Sequence, residues 1–250
     1  MPNSTVMTPG SVALVTGASS GIGRAVADEL LDQGVRVICL GRRETSLQES
    51  FGHRGDMALC LALDVTDAEF ATKLATALPE NWRDIDILIA SAGSDAGGRQ
   101  RFDQGDMEDW AQTIETNVTG LIRVCHAILP GMLERGCGHI VTLGSVSGLT
   151  TYTGGSIYAS SKHAVHALTD CLRKDFPNDP VRITEILPGL VRTGFAEARH
   201  KGDSDKADAF YDGFPAYLSA EDVAGTVMFA LNQPDHVNIA QIVVTPSSDK

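Results

Sequence analysis

Seven short apolar runs alternate with amphipathic stretches of helical period along almost all of the 250 residues. Residues 11–16, 35–40, 58–63, 85–90, 139–144, 182–187 and 239–244 read as strands. Several are apolar nearly throughout, as parallel strands covered on both faces must be. Residues 22–33, 67–78, 118–135, 157–176 and 220–233 read as helices. Strict β/α alternation implies a parallel sheet with helices on both sides. Right-handed crossovers make it doubly wound. The expected fold class is therefore α/β, a Rossmann-type seven-stranded sheet, with a single domain over residues 11–250 behind a frayed arm at 1–10. Residues 193–218 carry no strong pattern but hold Phe195, Phe210, Tyr211, Phe214 and Tyr217. A long segment after the end of a strand reads as a substrate lid.

Composition narrows the partners. Twenty Lys and Arg against 32 Asp and Glu give a net charge of −12, which repels phosphate backbones and disfavours nucleic acid. No apolar run approaches the length of a membrane span. Cys39, Cys60, Cys125, Cys137 and Cys171 show no metal-ligand spacing, so no metal is expected. All five read as free thiols in a reducing cytoplasm, and residues 1–10 do not form a signal peptide.

The first strand runs into Thr16-Gly17-Ala18-Ser19-Ser20-Gly21-Ile22-Gly23, with a helix following. Glycines there allow a tight turn and close approach of a diphosphate to the backbone, and the helix N-terminus offers free N–H groups to it. The glycines gain weight from standing between first strand and first helix. The second strand ends Gly41-Arg42-Arg43, facing the adenine ribose of a dinucleotide. An acid there would suit the 2′-hydroxyl of NAD; two arginines suit a 2′-phosphate. The expected cofactor is thus NADP(H). Asp64, followed by Val65 after strand three, has two readings: acceptor for the adenine amino group, or cap of the next helix.

Tyr158 and Lys162 are four residues apart, on one face of a helix. An ammonium beside a phenol lowers the phenol pKa from about 10 toward neutrality and makes it a usable proton donor and acceptor. Ser145, at the end of strand five, is placed to polarise a substrate carbonyl, with Ser147 as competitor. Asn117 stands inside an apolar helical stretch and must bond something: either it holds a water relaying protons to Lys162, or its side chain caps the helix.

These motifs, in this order, resemble the short-chain dehydrogenase/reductase family over residues 11–246. The resemblance implies a catalytic tetrad of Asn117, Ser145, Tyr158 and Lys162. It also implies cofactor contacts from Gly17, Ser19, Ser20, Gly21, Ile22, Gly23, Arg42, Arg43, Asp64, Val65, Ser91, Ala92, Gly93, Tyr158 and Lys162, and from Pro188, Gly189, Val191 and Thr193 after strand six. One motif departs: Ala90-Ser91-Ala92-Gly93 replaces the family's N-N-A-G; small residues still allow backbone contact with the adenosine, and the local bracing of strand four stays open. The ending Val243-Val244-Thr245-Pro246 and the Gly41-Arg42-Arg43 turn are similar to the NADP-dependent 3-hydroxy acid (serine) dehydrogenases and to sulfoacetaldehyde reductases. That branch implies a small, anionic substrate. The cations expected to meet it are Arg99, Arg101 and Arg199, with Ser145 on the reacting oxygen; Arg192 and Lys201 are further candidates. The family also implies a homotetramer, or a dimer, through the helices at 118–135 and 157–176. Two other readings compete: a broad carbonyl reductase of neutral ketones, and a catalytically silent dinucleotide sensor, against which the intact tetrad argues.

Overall fold

Alternate residues of the central strands face two separate cores. In β1 (Val12–Thr16), Ala13 and Val15 join one core, and Val12 and Leu14 the other. Period-two side-chain alternation with both faces apolar requires helices above and below. The computed structural model, which describes residues 6–248, has them. With β2 (Arg36–Gly41), β3 (Ala58–Ala62), β4 (Ile87–Ala90), β5 (Gly138–Leu143), β6 (Val181–Pro188) and β7 (Gln241–Val244), the strand order is 3-2-1-4-5-6-7. Every pairing is parallel. The expected doubly wound sheet is found, each strand within two residues of its expected ends.

The first core is closed by α1 (Gly21–Asp32), α2 (Glu44–Phe51) and α9 (Ala220–Leu231), through Val26, Leu30, Leu47, Phe51, Val223 and Val227. The second is closed by α3 (Phe70–Ala77), α5 (Leu121–Arg135) and α6 (Ser156–Asp175), through Phe70, Leu74, Val124, Ile128 and Val165. Strand order reverses between β1 and β4, which opens a crevice at their C-terminal ends.

Three findings depart from the sequence reading. The helix expected from residue 118 begins with α4 (Met107–Ile114) and passes through a π-helical turn, Glu115–Gly120, into α5. Asp106 caps α4, accepting from the N–H groups of Glu108 (2.9 Å) and Asp109 (3.1 Å). Residues 193–218 fold into α7 (Phe195–Arg199) and α8 (Ser204–Asp212). These are short, and their buried faces are small: Ala196 and Arg199, then Ala207 and Tyr211. Residues 1–5 of the expected arm lie outside the described residues. The rest of the arm is tied down: Gly10 N–H donates to Gly34 O at 2.9 Å, and Val6 and Met7 pack on the first core.

Leu88 sits in the middle of β4 with no exposure. Truncation to Ala should cost about 2–5 kcal/mol through lost burial and a cavity, read as a lowered denaturant midpoint with unchanged slope.

Candidate active site

The turn between β1 and α1 requires glycine at two kinds of position. Gly17 and Gly21 have φ of 69° and 55°, which side chains other than glycine rarely adopt. At Gly23 the demand is steric: a Cβ would overlap Ser91 Oγ and the Gly17 carbonyl. Ser20, at the start of α1, makes no side-chain capping bond, and the first turn carries no acid. The N–H groups of that turn therefore remain open to an anionic ligand.

β4 is braced without the family's asparagines. Ser91 Oγ donates to Thr16 O at 2.7 Å, and Thr16 Oγ1 accepts from the N–H groups of Ser91 and Ala92, both at 3.1 Å. β1 and β4 are thus stitched together just where the crevice opens. Arg42 and Arg43 are exposed at the end of β2, and among the described residues neither has a carboxylate partner. Asp64 Oδ1 accepts from Thr66 N–H (2.9 Å) and Thr66 Oγ1 (2.8 Å). This is a local turn and not the helix cap, since α3 starts at Phe70 behind Glu69; Asp64 also lines the cavity described next.

A cavity of about 510 Å³ runs from this turn across the ends of β4, β5 and β6. Its wall includes every residue expected to touch the cofactor, from Gly17 to Thr193, together with Ser145, Ser147, Arg99 and Arg199. A continuous trough with a glycine floor, an uncapped helix end and two unpaired arginines fits a phosphorylated dinucleotide.

Ser145, Tyr158 and Lys162 converge on this wall. Ser145 Oγ accepts from Ser147 N–H at 3.1 Å, which fixes the short 3₁₀ turn Val146–Gly148. Ser147 is therefore tied through its backbone, and the Ser145 hydroxyl is the one set toward the Tyr158 phenol. Lys162 Nζ donates to Leu143 O at 2.8 Å and lies 5.8 Å from the Tyr158 ring centre. This corrects the expected lowering of the Tyr158 pKa. Burial, reinforced by the Asp95 charge, pushes the phenol well above its usual value, against weaker pulls from Arg199 and Ser145. One of the three ammonium N–H groups goes to that carbonyl, and none bonds the phenol among the described residues. Burial also pushes Lys162 down to about 8, with Glu185 and then Asp95 opposing that shift.

Asn117 is 2 % exposed, in the π-helical turn. Its Oδ1 accepts from Ser94 N–H (2.7 Å); its Nδ2 donates to Ser94 O (2.8 Å) and to Ser161 Oγ (2.9 Å). Ser161 Oγ in turn donates to Tyr158 O at 2.7 Å. The side chain caps no helix, and both of its Nδ2 hydrogens are committed, while Oδ1 keeps a second acceptor site. It ties the loop after β4 to the helix that carries Tyr158 and Lys162.

The expected substrate cations separate. Arg199 is buried, its Nε 2.8 Å from Asp95 Oδ2. The two are in contact without hydrogen-bond alignment, and Arg199 Nη1 is buried without a partner among the described residues. Arg99 lies over Tyr152, Phe210 and Phe214, at 4.5, 5.4 and 5.7 Å from their ring centres. Arg101 does not reach the cavity: it is exposed and paired with Asp103 (2.9 and 3.0 Å). Arg192 is held by Tyr217 and Asp208, and Lys201 by Asp109. Both are off the cavity wall.

The short chain dehydrogenase family model matches residues 11–204. The chain belongs to that family. The NADP-dependent 3-hydroxy acid dehydrogenase of Salmonella typhi is 39% identical over 236 residues, 94% of each chain. The serine 3-dehydrogenase of Rhizobium radiobacter is 36% identical over 233 residues, 93% of this chain and 92% of that one. A serine dehydrogenase solved in its closed form with NADP+ superposes with a TM-score of 0.92 at 38% identity, covering 96% of both chains.

For a short-chain dehydrogenase, sequence reasoning missed Tyr152 and Asp95 in the site, and Glu185 beneath it. Tyr152 stood in a Thr- and Gly-rich loop ahead of α6 with no periodic signal. Asp95 looked like an ordinary loop acid. Glu185, an acid in the middle of a strand with apolar residues on both sides of the sheet, is a signal that the sequence does carry.

Replacing Asn117 with Ala should leave the Ser94 N–H and C=O without their partner, costing roughly 1–3 kcal/mol per buried group left unsatisfied. Urea unfolding measures this. Asn117→Ala should also lose activity, since α6 is no longer pinned to the loop after β4.

Proposed function

We propose that this protein is an NADP(H)-dependent oxidoreductase interconverting a small hydroxy acid, of the 3-hydroxy acid or hydroxysulfonate kind, with its carbonyl form. One observation carries the reading. Ser145, Tyr158 and Lys162 meet at one end of a cavity whose other end has a glycine turn, an open helix terminus and two unpaired arginines. The named relatives, NADP-dependent 3-hydroxy acid and serine dehydrogenases, support the same choice.

NADP(H), when bound, supplies the hydride donor or acceptor. Arg42 and Arg43 would hold its 2′-phosphate, the α1 N-terminus and Gly17–Gly23 its diphosphate, and Tyr158 and Lys162 its nicotinamide ribose. The Tyr158 phenol, kept protonated at neutral pH by burial, gives its proton to the substrate oxygen in reduction and takes one in oxidation. Ser145 Oγ orients that oxygen. Lys162 stays cationic below about pH 8 and supplies positive charge beside the forming phenolate. Asn117 acts through Ser161 and Ser94 by holding α6 in place.

The substrate's acidic head is assigned to Arg199 Nη1, a buried donor without a partner, and to Arg99. Phe195 and Phe210 flank the buried Arg199, which strengthens such a contact there, while the exposed Arg99 stacks on Tyr152, Phe210 and Phe214. Residues 193–218 act as the lid. Its base is pinched by the Val191–Leu218 bridge, and the Tyr211 hydroxyl bonds Val191 O and Thr193 O, each at 3.1 Å. Five free thiols suit a reducing cytoplasm. Ile114 and Ile122, exposed on α4 and α5, suit assembly into a homotetramer or dimer.

Tyr158→Phe should lower turnover by a factor on the order of 10² to 10⁴ while NADPH still binds, followed by nicotinamide fluorescence. Retained turnover would refute the assignment. Arg99→Leu should raise KM for a short semialdehyde acid or sulfonate by about tenfold to a hundredfold, the worth of one charge-assisted contact. It should leave a neutral ketone unaffected. Equal effects on both would favour the carbonyl-reductase reading, to which the aromatic lining also lends itself.

A further inference from the structure

Glu185 is a wholly buried carboxylate in β6. Burying a charge costs several kcal/mol unless partners compensate. One oxygen is compensated: Oε2 accepts from His166 Nδ1 at 2.7 Å, with the His166 side chain 30% exposed on α6. The other, Oε1, has no hydrogen-bond partner among the described residues. It rests on Gly144, so closely that a Cβ there would overlap it. Gly144 lies between Leu143, whose carbonyl receives Lys162 Nζ, and Ser145. His166 is one helical turn beyond Lys162. At the same junction, a Cβ on Gly148 would meet the Lys162 carbonyl at 2.8 Å and His166 Cβ at 3.6 Å. Three elements, the end of β5, α6 and β6, are thus packed around one buried negative charge.

We propose that Glu185, clamped by His166, is a positioning residue that holds the Lys162 ammonium and the Gly144–Ser145 backbone in their working arrangement. This rests on Lys162 and Ser145 acting as described under the proposed function. The groups facing Glu185 are few. α6 contributes His166 and Lys162, and β5 contributes Thr142, its register partner, and Gly144. β7 contributes the uncharged Gln241, whose Nε2 is 3.4 Å from His166 Nδ1. On the far side of Lys162 the facing charge is Asp95. Glu185 is the stronger of the two carboxylates favouring the Lys162 ammonium. A neutral residue in its place would fill β6 without that burial cost, but would leave the ammonium less supported.

The test is the pH profile of kcat. A carboxylate nearby favours the ammonium, so removing its charge lets Lys162 lose its proton at lower pH. In Glu185→Gln, of equal shape, the alkaline limb should move to lower pH by on the order of one unit, with the cofactor still bound. A merely structural role would lower the melting temperature and leave that limb in place, and an unmoved limb overturns the proposal. His166→Leu provides a second arm should the Gln variant not fold. It strips the carboxylate of its donor and should move the limb the same way, and His166→Gln, which keeps an N–H donor, should restore it. Wild-type profiles in both His166 variants overturn the proposal as well. Tyr158→Phe measured alongside separates the two failures. If it retains turnover, the proposed function falls; if it is inactive while the Glu185→Gln limb stays put, only this inference falls.

Discussion

A single amide, that of Asn117, joins the loop after β4, the π-helical turn and the helix bearing Tyr158 and Lys162. The second core also holds β4 against α6, through Leu88, Ala90 and Val165, but it is the Asn117 junction that fixes the loop after β4 against the helix at the level of the reacting groups. The π-turn carries one residue more than an α-helical path would, and such bulges recur where a helix must aim a side chain out of its regular ladder. Here the insertion turns Asn117 inward and fully buried, with each of its polar atoms committed to a partner. Its three bonds are worth more together than singly, because each fixes the geometry of the others in a low-dielectric surrounding.

The same low dielectric sets the balance of charges around the cavity. Tyr158 and Lys162 are driven toward their neutral forms by burial. For Lys162 this is resisted by the carboxylates of Glu185, from β6, and Asp95, from the loop after β4; for Tyr158 it is resisted by Arg199, from α7, while Asp95 reinforces it. Neither ion pair, Asp95 with Arg199 or Glu185 with His166, is good evidence for stability, since desolvation offsets most of their attraction. Their value is in orientation and in deciding which groups stay charged. Asp95 disfavours the Tyr158 phenolate and favours the Lys162 ammonium, so one carboxylate supports both the acid form of the phenol and the cation beside it.

The sheet was legible in the sequence because burial on two faces leaves strands with little but apolar residues, and Leu88 or Ile140 can be read as core on that ground alone. The glycine turn and the Tyr158–Lys162 spacing were legible for a different reason: each is a local demand, of φ or of helical period, that few residue types meet. What was not legible is what depends on distant partners. Asn117 was recognised as needing a bond, but Ser94 and Ser161 are 23 and 44 residues away, and no local pattern names them. The four-residue spacing of Tyr158 and Lys162 does not reveal the Tyr158 pKa, because α6 places Lys162 on the Leu143 carbonyl, a contact set by β5. α7 and α8 escaped notice because short helices over a crevice bury too little to impose a period. Arg99, Arg101 and Arg199 looked alike as cations; only packing separates a buried Arg199 against Asp95 from an exposed Arg101 paired with Asp103.

Net charge and local charge point in opposite directions in this molecule, and the local term decides binding. A net charge of −12 repels any anion at long range, but that field is screened over about 8–10 Å at physiological ionic strength. Inside the crevice the near charges count most: Arg42, Arg43, Arg99 and Arg199 line its wall against one acid, Asp64, among the described residues. Arg199 is buried against the rings of Phe195 and Phe210, where a guanidinium interacts most strongly with an anion. An acidic exterior around a cationic trough thus excludes polyanions too large to enter and admits small phosphorylated or carboxylated ligands, a selectivity that follows from shape and screening length together.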